Sequence, residues 1–130
     1  MKRVGKVIIT LVIMVSVFGS AQVLADAKGC SLQGKKYVSS ESLFNNGKRM
    51  YRFSANNGTT SPYNVEAQLK GGPTSVNVFT LMKKYTLTPR QTKSTDLDAS
   101  AYNYARVTLY GNSASDQKTG CIASGLVSNQ

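Results

Sequence analysis

Tyr63-Asn64-Val65-Glu66-Ala67-Gln68-Leu69-Lys70 alternates apolar and polar residues without an error. Tyr63, Val65, Ala67 and Leu69 fall on one side of an extended chain, and Asn64, Glu66, Gln68 and Lys70 on the other. A period of two is the pattern of a strand with one buried face. Wound as a helix, the same residues would scatter their apolar groups around the axis.

The pattern repeats outward from this stretch. Tyr51 and Phe53 alternate with Met50, Arg52 and Ser54; Ala105, Val107 and Leu109 alternate with Tyr104, Arg106, Thr108 and Tyr110. Val76 to Tyr85 is richer in apolar residues and reads as a central strand covered on both sides. Cys121, Ala123 and Val127 suggest a last strand, with the residues after Val127 expected to fray. Gln91 to Ser100 is polar and reads as either a connecting loop or an edge strand. Turn chemistry separates the runs. Asn45-Asn46-Gly47 and Asn56-Asn57-Gly58 predict tight hairpins, because Asn-Gly tolerates positive φ, and Gly71-Gly72-Pro73 marks another reversal. Pro62, Pro73 and Pro89 all fall at segment edges. Short strands at this spacing predict an all-β fold, a small antiparallel β-sandwich with an immunoglobulin-like outline. The inter-sheet Cys-Trp-Cys set of immunoglobulin domains is missing, since the chain has no tryptophan.

The first 25 residues read differently. Lys2, Arg3 and Lys6 precede an apolar run from Val7 to Phe18, and small residues follow. This is the order of a cleavable secretory signal peptide, whose core is shorter than the roughly 20 apolar residues that span a bilayer. Cuts after Ala25 and after Ala27 both fit, and Ala25 is expected because it lies closer to the apolar core. Gly29-Cys30 has the look of a lipid-attachment pair, but Lys28 intervenes and the apolar core ended at Phe18. Residues 1–25 are thus expected to be an export signal and 26–130 a single secreted domain. Two cysteines sit near the ends of that domain, Cys30 and Cys121. In an oxidising compartment they are expected to pair, closing a loop to which the chain-entropy view assigns about 4–5 kcal/mol.

The chain carries sixteen Lys and Arg against six Asp and Glu, a formal net charge of +10. Three positives belong to the export segment, which leaves thirteen against six, or +7. An exported cationic domain points to anionic partners: wall polymers, a membrane surface or an acidic protein, with nucleic acid not expected. The absence of histidine excludes Ser-His-Asp and Cys-His catalysis and the usual zinc tetrad. No cofactor or metal site is expected. Tyr102, Tyr104 and Tyr110 share one parity with Arg106 between them, and an outward tyrosine row of this kind can stack on sugar rings. These residues, with Lys83 and Lys84, are the candidate ligand-binding set. Asp96 and Asp98 share a strand face, as paired carboxylates of a catalytic or calcium site would, but nothing else converges on them. The expected function is a secreted, non-enzymatic binding module for an anionic or glycan-bearing surface component or a protein. A secreted antimicrobial protein or toxin is one alternative, and a small secreted hydrolase is a second.

Overall fold

The computed structural model describes residues 26–76 and 79–130, and the expected export segment lies outside them. Among the described residues nine strands follow in chain order: β1 (Ala27–Gln33), β2 (Tyr37–Ser39), β3 (Leu43–Phe44), β4 (Met50–Asn57), β5 (Val65–Gly72), β6 (Thr80–Leu87), β7 (Thr92–Asp98), β8 (Tyr104–Gly111) and β9 (Ile122–Asn129). They form two antiparallel sheets. The first has the order β1-β9-β4-β7, and the second β2-β8-β5-β6, with β3 also paired to β8. The β-sandwich expected from the periodicity is the fold. Its strand order refines the immunoglobulin-like outline: the chain crosses between sheets after β1, β3, β4, β6, β7 and β8, the winding of a jelly roll.

The alternating runs supply the core. Tyr51, Phe53 and Ala55 of β4 face Val65, Ala67 and Leu69 of β5 and Ala105, Val107 and Leu109 of β8 across the sandwich, all buried. Each large aliphatic or aromatic group removed from water contributes about 1.5–3 kcal/mol. Phe53 and Tyr85 stack at 4.7 Å between ring centroids with planes 10° apart. Gly125 of β9 sets how closely the sheets approach. A Cβ at this position would lie 2.7 Å from Val107 Cγ1 and 3.2 Å from Leu109 Cδ2.

Several local expectations are corrected. The Val76–Tyr85 run does not form a central strand: β6 starts at Thr80 and is the outer edge of its sheet, with Leu81, Lys83 and Lys84 exposed. Its apolar residues pack on one side only, because in a two-sheet sandwich each sheet has a single covered face. Gln91–Ser100 becomes β7, the edge strand beside β4. The residues after Val127 do not fray. Ser128 and Asn129 are buried, and Asn129 Nδ2 donates to the Phe44 carbonyl at 2.9 Å while its Oδ1 accepts from the Asp26 N–H. Asn45-Asn46-Gly47 is a tight turn with φ of 53° at Asn46 and 73° at Gly47. Asn56-Asn57-Gly58 is not a hairpin. It is where the chain leaves one sheet for the other, and buried Asn57 pins that crossing by donating from Nδ2 to the Tyr63 and Leu87 carbonyls, 3.0 Å each.

Cys30 and Cys121 are not bridged. The reason is register: Cys30 pairs across from Gly125, four residues along the chain from Cys121. Four residues of strand separate positions by about 13 Å, whereas a disulfide needs Cα atoms within about 7 Å. Each thiol has its own carbonyl partner, Val107 for Cys30 and Tyr63 for Cys121.

Candidate ligand-binding face

The two outer faces of the sandwich differ in chemistry. On the first sheet, the register sets Ser31, Ser124, Asn56 and Thr92 in one row across four strands, and Gly29, Leu126, Ser54 and Ser94 in the next. Small polar groups satisfy each other there. Ser54 and Ser94 hydroxyls are 2.8 Å apart, and Asn56 Oδ1 accepts from the Ser124 N–H and hydroxyl. Arg52 pairs with Asp96 at 2.7 Å, and this partner holds the Asp96 carboxyl below its ordinary range. Asp98 accepts from the Ser100 N–H at 2.8 Å, which also lowers its pKa. Both candidate carboxylates therefore serve structure, one an ion pair and the other a turn. Among the described residues no cluster of three or more metal-ligating side chains occurs.

The outer face of the second sheet is aromatic at its margins and cationic at its centre. Strand alternation turns Tyr104, Arg106, Thr108 and Tyr110 of β8 outward, and Glu66, Gln68 and Lys70 of β5 with them. Register then builds four rows. Tyr37, Tyr110, Glu66 and Thr86 form one, and Ser39, Thr108, Gln68 and Lys84 the next. Arg106, Lys70 and Leu81 make the third, and Phe44, Tyr104 and Gly72 the fourth. The aromatic margins are paired: Tyr37 and Tyr110 have centroids 6.2 Å apart, and Phe44 and Tyr104 5.2 Å. Tyr37, Phe44 and Leu81 are 57%, 47% and 50% exposed, so three large apolar side chains open to solvent share this one face. Between the margins the Ser39 and Thr108 hydroxyls meet at 2.9 Å.

Charge on this face is unbalanced. Lys70 Nζ bonds the Tyr110 hydroxyl at 3.3 Å and lies 5.8 Å from that ring. The Arg106 guanidinium sits 4.3 Å from the centroid of Phe79, and its Nε is buried with no hydrogen-bond partner. A buried donor left unpaired costs about 1–3 kcal/mol. The acid of the face, Glu66, is largely buried and accepts from Gln68, two rows from Arg106. The ion pairs seen, Lys28–Glu41, Arg52–Asp96 and Lys118–Asp116, all use other cations.

The candidate residues from the sequence divide. Tyr104, Arg106 and Tyr110 share the face, and Lys84 lies at its edge opposite Gln68. Lys83 alternates to the other side of β6, with Nζ 5.9 Å from the Tyr85 ring. Tyr102 leaves the row: β8 begins only at Tyr104, and the Tyr102 ring packs over Gly71, whose Cβ, if present, would lie 2.5 Å from Tyr102 Cγ. Lysines on an edge strand also have the plain role of blocking edge-to-edge pairing. Tyr37, Phe44, Lys70 and Phe79 were not singled out in the sequence. Only the parity of Lys70 pointed to the face; the others reach it through pairings between distant strands.

No protein-family model matches this sequence, and no relative emerges among curated proteins. Solved structures do resemble it. The exported protein XepA of PBSX matches with a TM-score of 0.58 at 11% identity, covering 81% of this chain and 36% of XepA. The chain thus spans about a third of XepA's length. PirA matches at 0.48 and 10% identity over 78% of this chain and 90% of its own. The Yersinia pseudotuberculosis-derived mitogen matches at 0.46 and 14% identity, over 81% and 84%. At such identities, what this chain has in common with XepA is the β-sandwich fold.

Proposed function

We propose that this chain is an extracellular binding module that holds glycan-bearing surface material on the outer face of its second sheet. The observation that carries the reading is the convergence of Tyr37, Phe44, Tyr104 and Tyr110 around the polar centre of one outer sheet face, with Tyr37 and Phe44 exposed. Exposed aromatic area framed by hydroxyls and amides fits the apolar face and polar rim of a sugar ring. The module acts by holding, and no catalytic step is assigned to it. The export signal expected at residues 1–25 supports a role outside the cytoplasm.

The test is affinity electrophoresis against soluble polysaccharides, neutral and acidic. Tyr104→Ala combined with Tyr110→Ala is expected to weaken retention on the order of tenfold, equivalent to about 1.4 kcal/mol. Ser94→Ala, on the opposite outer face, is expected to leave retention unchanged. Equal retention of the tyrosine variant and the wild type, with melting temperatures matched, refutes the reading.

A further inference from the structure

We infer that the ligand bears an oxyanion on its sugars, a carboxylate or a sulfate, and that Arg106 with Lys70 is the seat for it. The inference rests on the binding reading above and names the chemistry of the same face.

Four observations carry it. Arg106 and Lys70 stand directly opposite on paired strands, β8 and β5. Like charges at opposed positions repel, and a shared anion removes that repulsion. Arg106 has no acid partner, and its Nε is buried and unpaired. Phe79 lies against the guanidinium at 4.3 Å, a contact that restrains the planar group. A planar fork matches the two oxygens of an oxyanion, which a lysine's point charge does not. Finally, Glu41, Asp96 and Asp116 pair with other cations, Asp98 accepts from the Ser100 N–H, and Glu66 accepts from Gln68, two rows from Arg106. The face is thus left with an unpaired Arg106 guanidinium and, from the opposed position, a Lys70 ammonium held only by the Tyr110 hydroxyl at 3.3 Å, with no acid paired to either.

An acidic polysaccharide suits this geometry better than a bilayer. The exposed rings lie on a flat sheet among hydroxyls, and Ser39, Thr108 and Gln68 occupy the middle of the face. A sugar polymer laid across the rows meets rings at the margins and cations between them. Insertion into lipid calls instead for apolar side chains free of polar neighbours.

The experiment measures retention of the full mature chain by three soluble polymers: polygalacturonate, the same polymer with its carboxyls reduced to alcohols, and heparin. Wild type is expected to bind at least one of the two acidic polymers at least tenfold more tightly than the reduced one, with binding that weakens as salt rises. Polygalacturonate carries carboxylates alone and heparin carries sulfates besides carboxylates, so retention by heparin without retention by polygalacturonate assigns a sulfate. Arg106→Gln is expected to lose at least tenfold on the acidic polymer and nothing on the reduced one. Arg106→Lys is expected to recover part of the loss, and Lys70→Gln to lose several-fold. Tyr104→Ala weakens both acidic and neutral binding. Melting temperatures check that each variant folds, and if Arg106→Gln does not, Arg106→Lys and Lys70→Gln decide. Equal binding of charged and reduced polymer, unaffected by Arg106→Gln, overturns the oxyanion seat and leaves the binding reading standing. Retention that depends on neither the tyrosines nor Arg106 overturns both. Retention by none of the polymers, or binding only to phosphatidylglycerol vesicles, overturns the seat in favour of another partner.

Discussion

The Cys30 thiol shows how placement decides the chemistry of a residue. Half-buried against β8, it donates to the Val107 carbonyl, and desolvation raises its pKa from 9.0 to about 12. The neutral thiol is the form the fold favours. Its contribution to stability is therefore present below pH 9 and is lost as pH rises toward 12. A thiolate is the reactive species, so a thiol held neutral is inert. Cys30 is expected to resist Ellman's reagent at pH 8 in the folded protein and to react promptly in guanidinium. Dithiothreitol should leave the melting temperature unchanged, measured on mature protein prepared without reductant. A fall of ten degrees or more on reduction would restore the end-to-end bridge that the cysteine count suggests. Asn57 makes the same point. Asn57-Gly58-Thr59 has the form of a glycosylation sequon, yet both amide donors are spent on buried carbonyls.

At the scale of the element, the last strand does more than its composition suggests. Ser128 and Asn129 are polar and terminal, the usual marks of a loose end, yet β9 lies between β1 and β4 and is paired along its full length. Asn129 then ties three elements: it accepts from Asp26 ahead of β1, donates to Phe44 of β3, and bonds the Asp26 carbonyl through its own N–H at 3.0 Å. Asn129→Ala would strand the Phe44 carbonyl, and the expected cost is about 2 kcal/mol in urea unfolding. Deleting Asp26 and Ala27 should remove part of the same clamp. Edge strands were harder to place from sequence. β6 reads as central because Val76 to Tyr85 is apolar, yet Leu81 is exposed on an edge; β7 reads as either loop or edge strand because it is polar, and Thr92, Ser94 and Asp96 face solvent beside β4. Periodicity reports one buried face and carries no count of neighbours.

For the whole molecule, the spacing of the sheets depends on Gly125. Gly125→Ala would drive a methyl into Val107 and Leu109, an overpacking expected to cost about 1–3 kcal/mol and to lower the melting temperature accordingly. Because both contacts belong to β8, the strand carrying Tyr104, Arg106 and Tyr110 is the one displaced, so calorimetry and polysaccharide retention should fall together. A variant that loses neither would show that the sandwich relaxes around the methyl. The all-β class, the strands around Tyr51, Val65 and Val107, and the outward parity of Tyr104, Arg106 and Tyr110 follow from the sequence alone, since alternation is a local property that any extended chain displays. The tertiary structure alone decides which distant strands become neighbours. It opposes Lys70 to Arg106, brings Tyr37 to Tyr110 and Phe44 to Tyr104, turns Tyr102 onto Gly71, and holds Cys30 and Cys121 four residues out of step. Register between strands far apart in the chain is set by the packing of the whole core, and no local pattern encodes it.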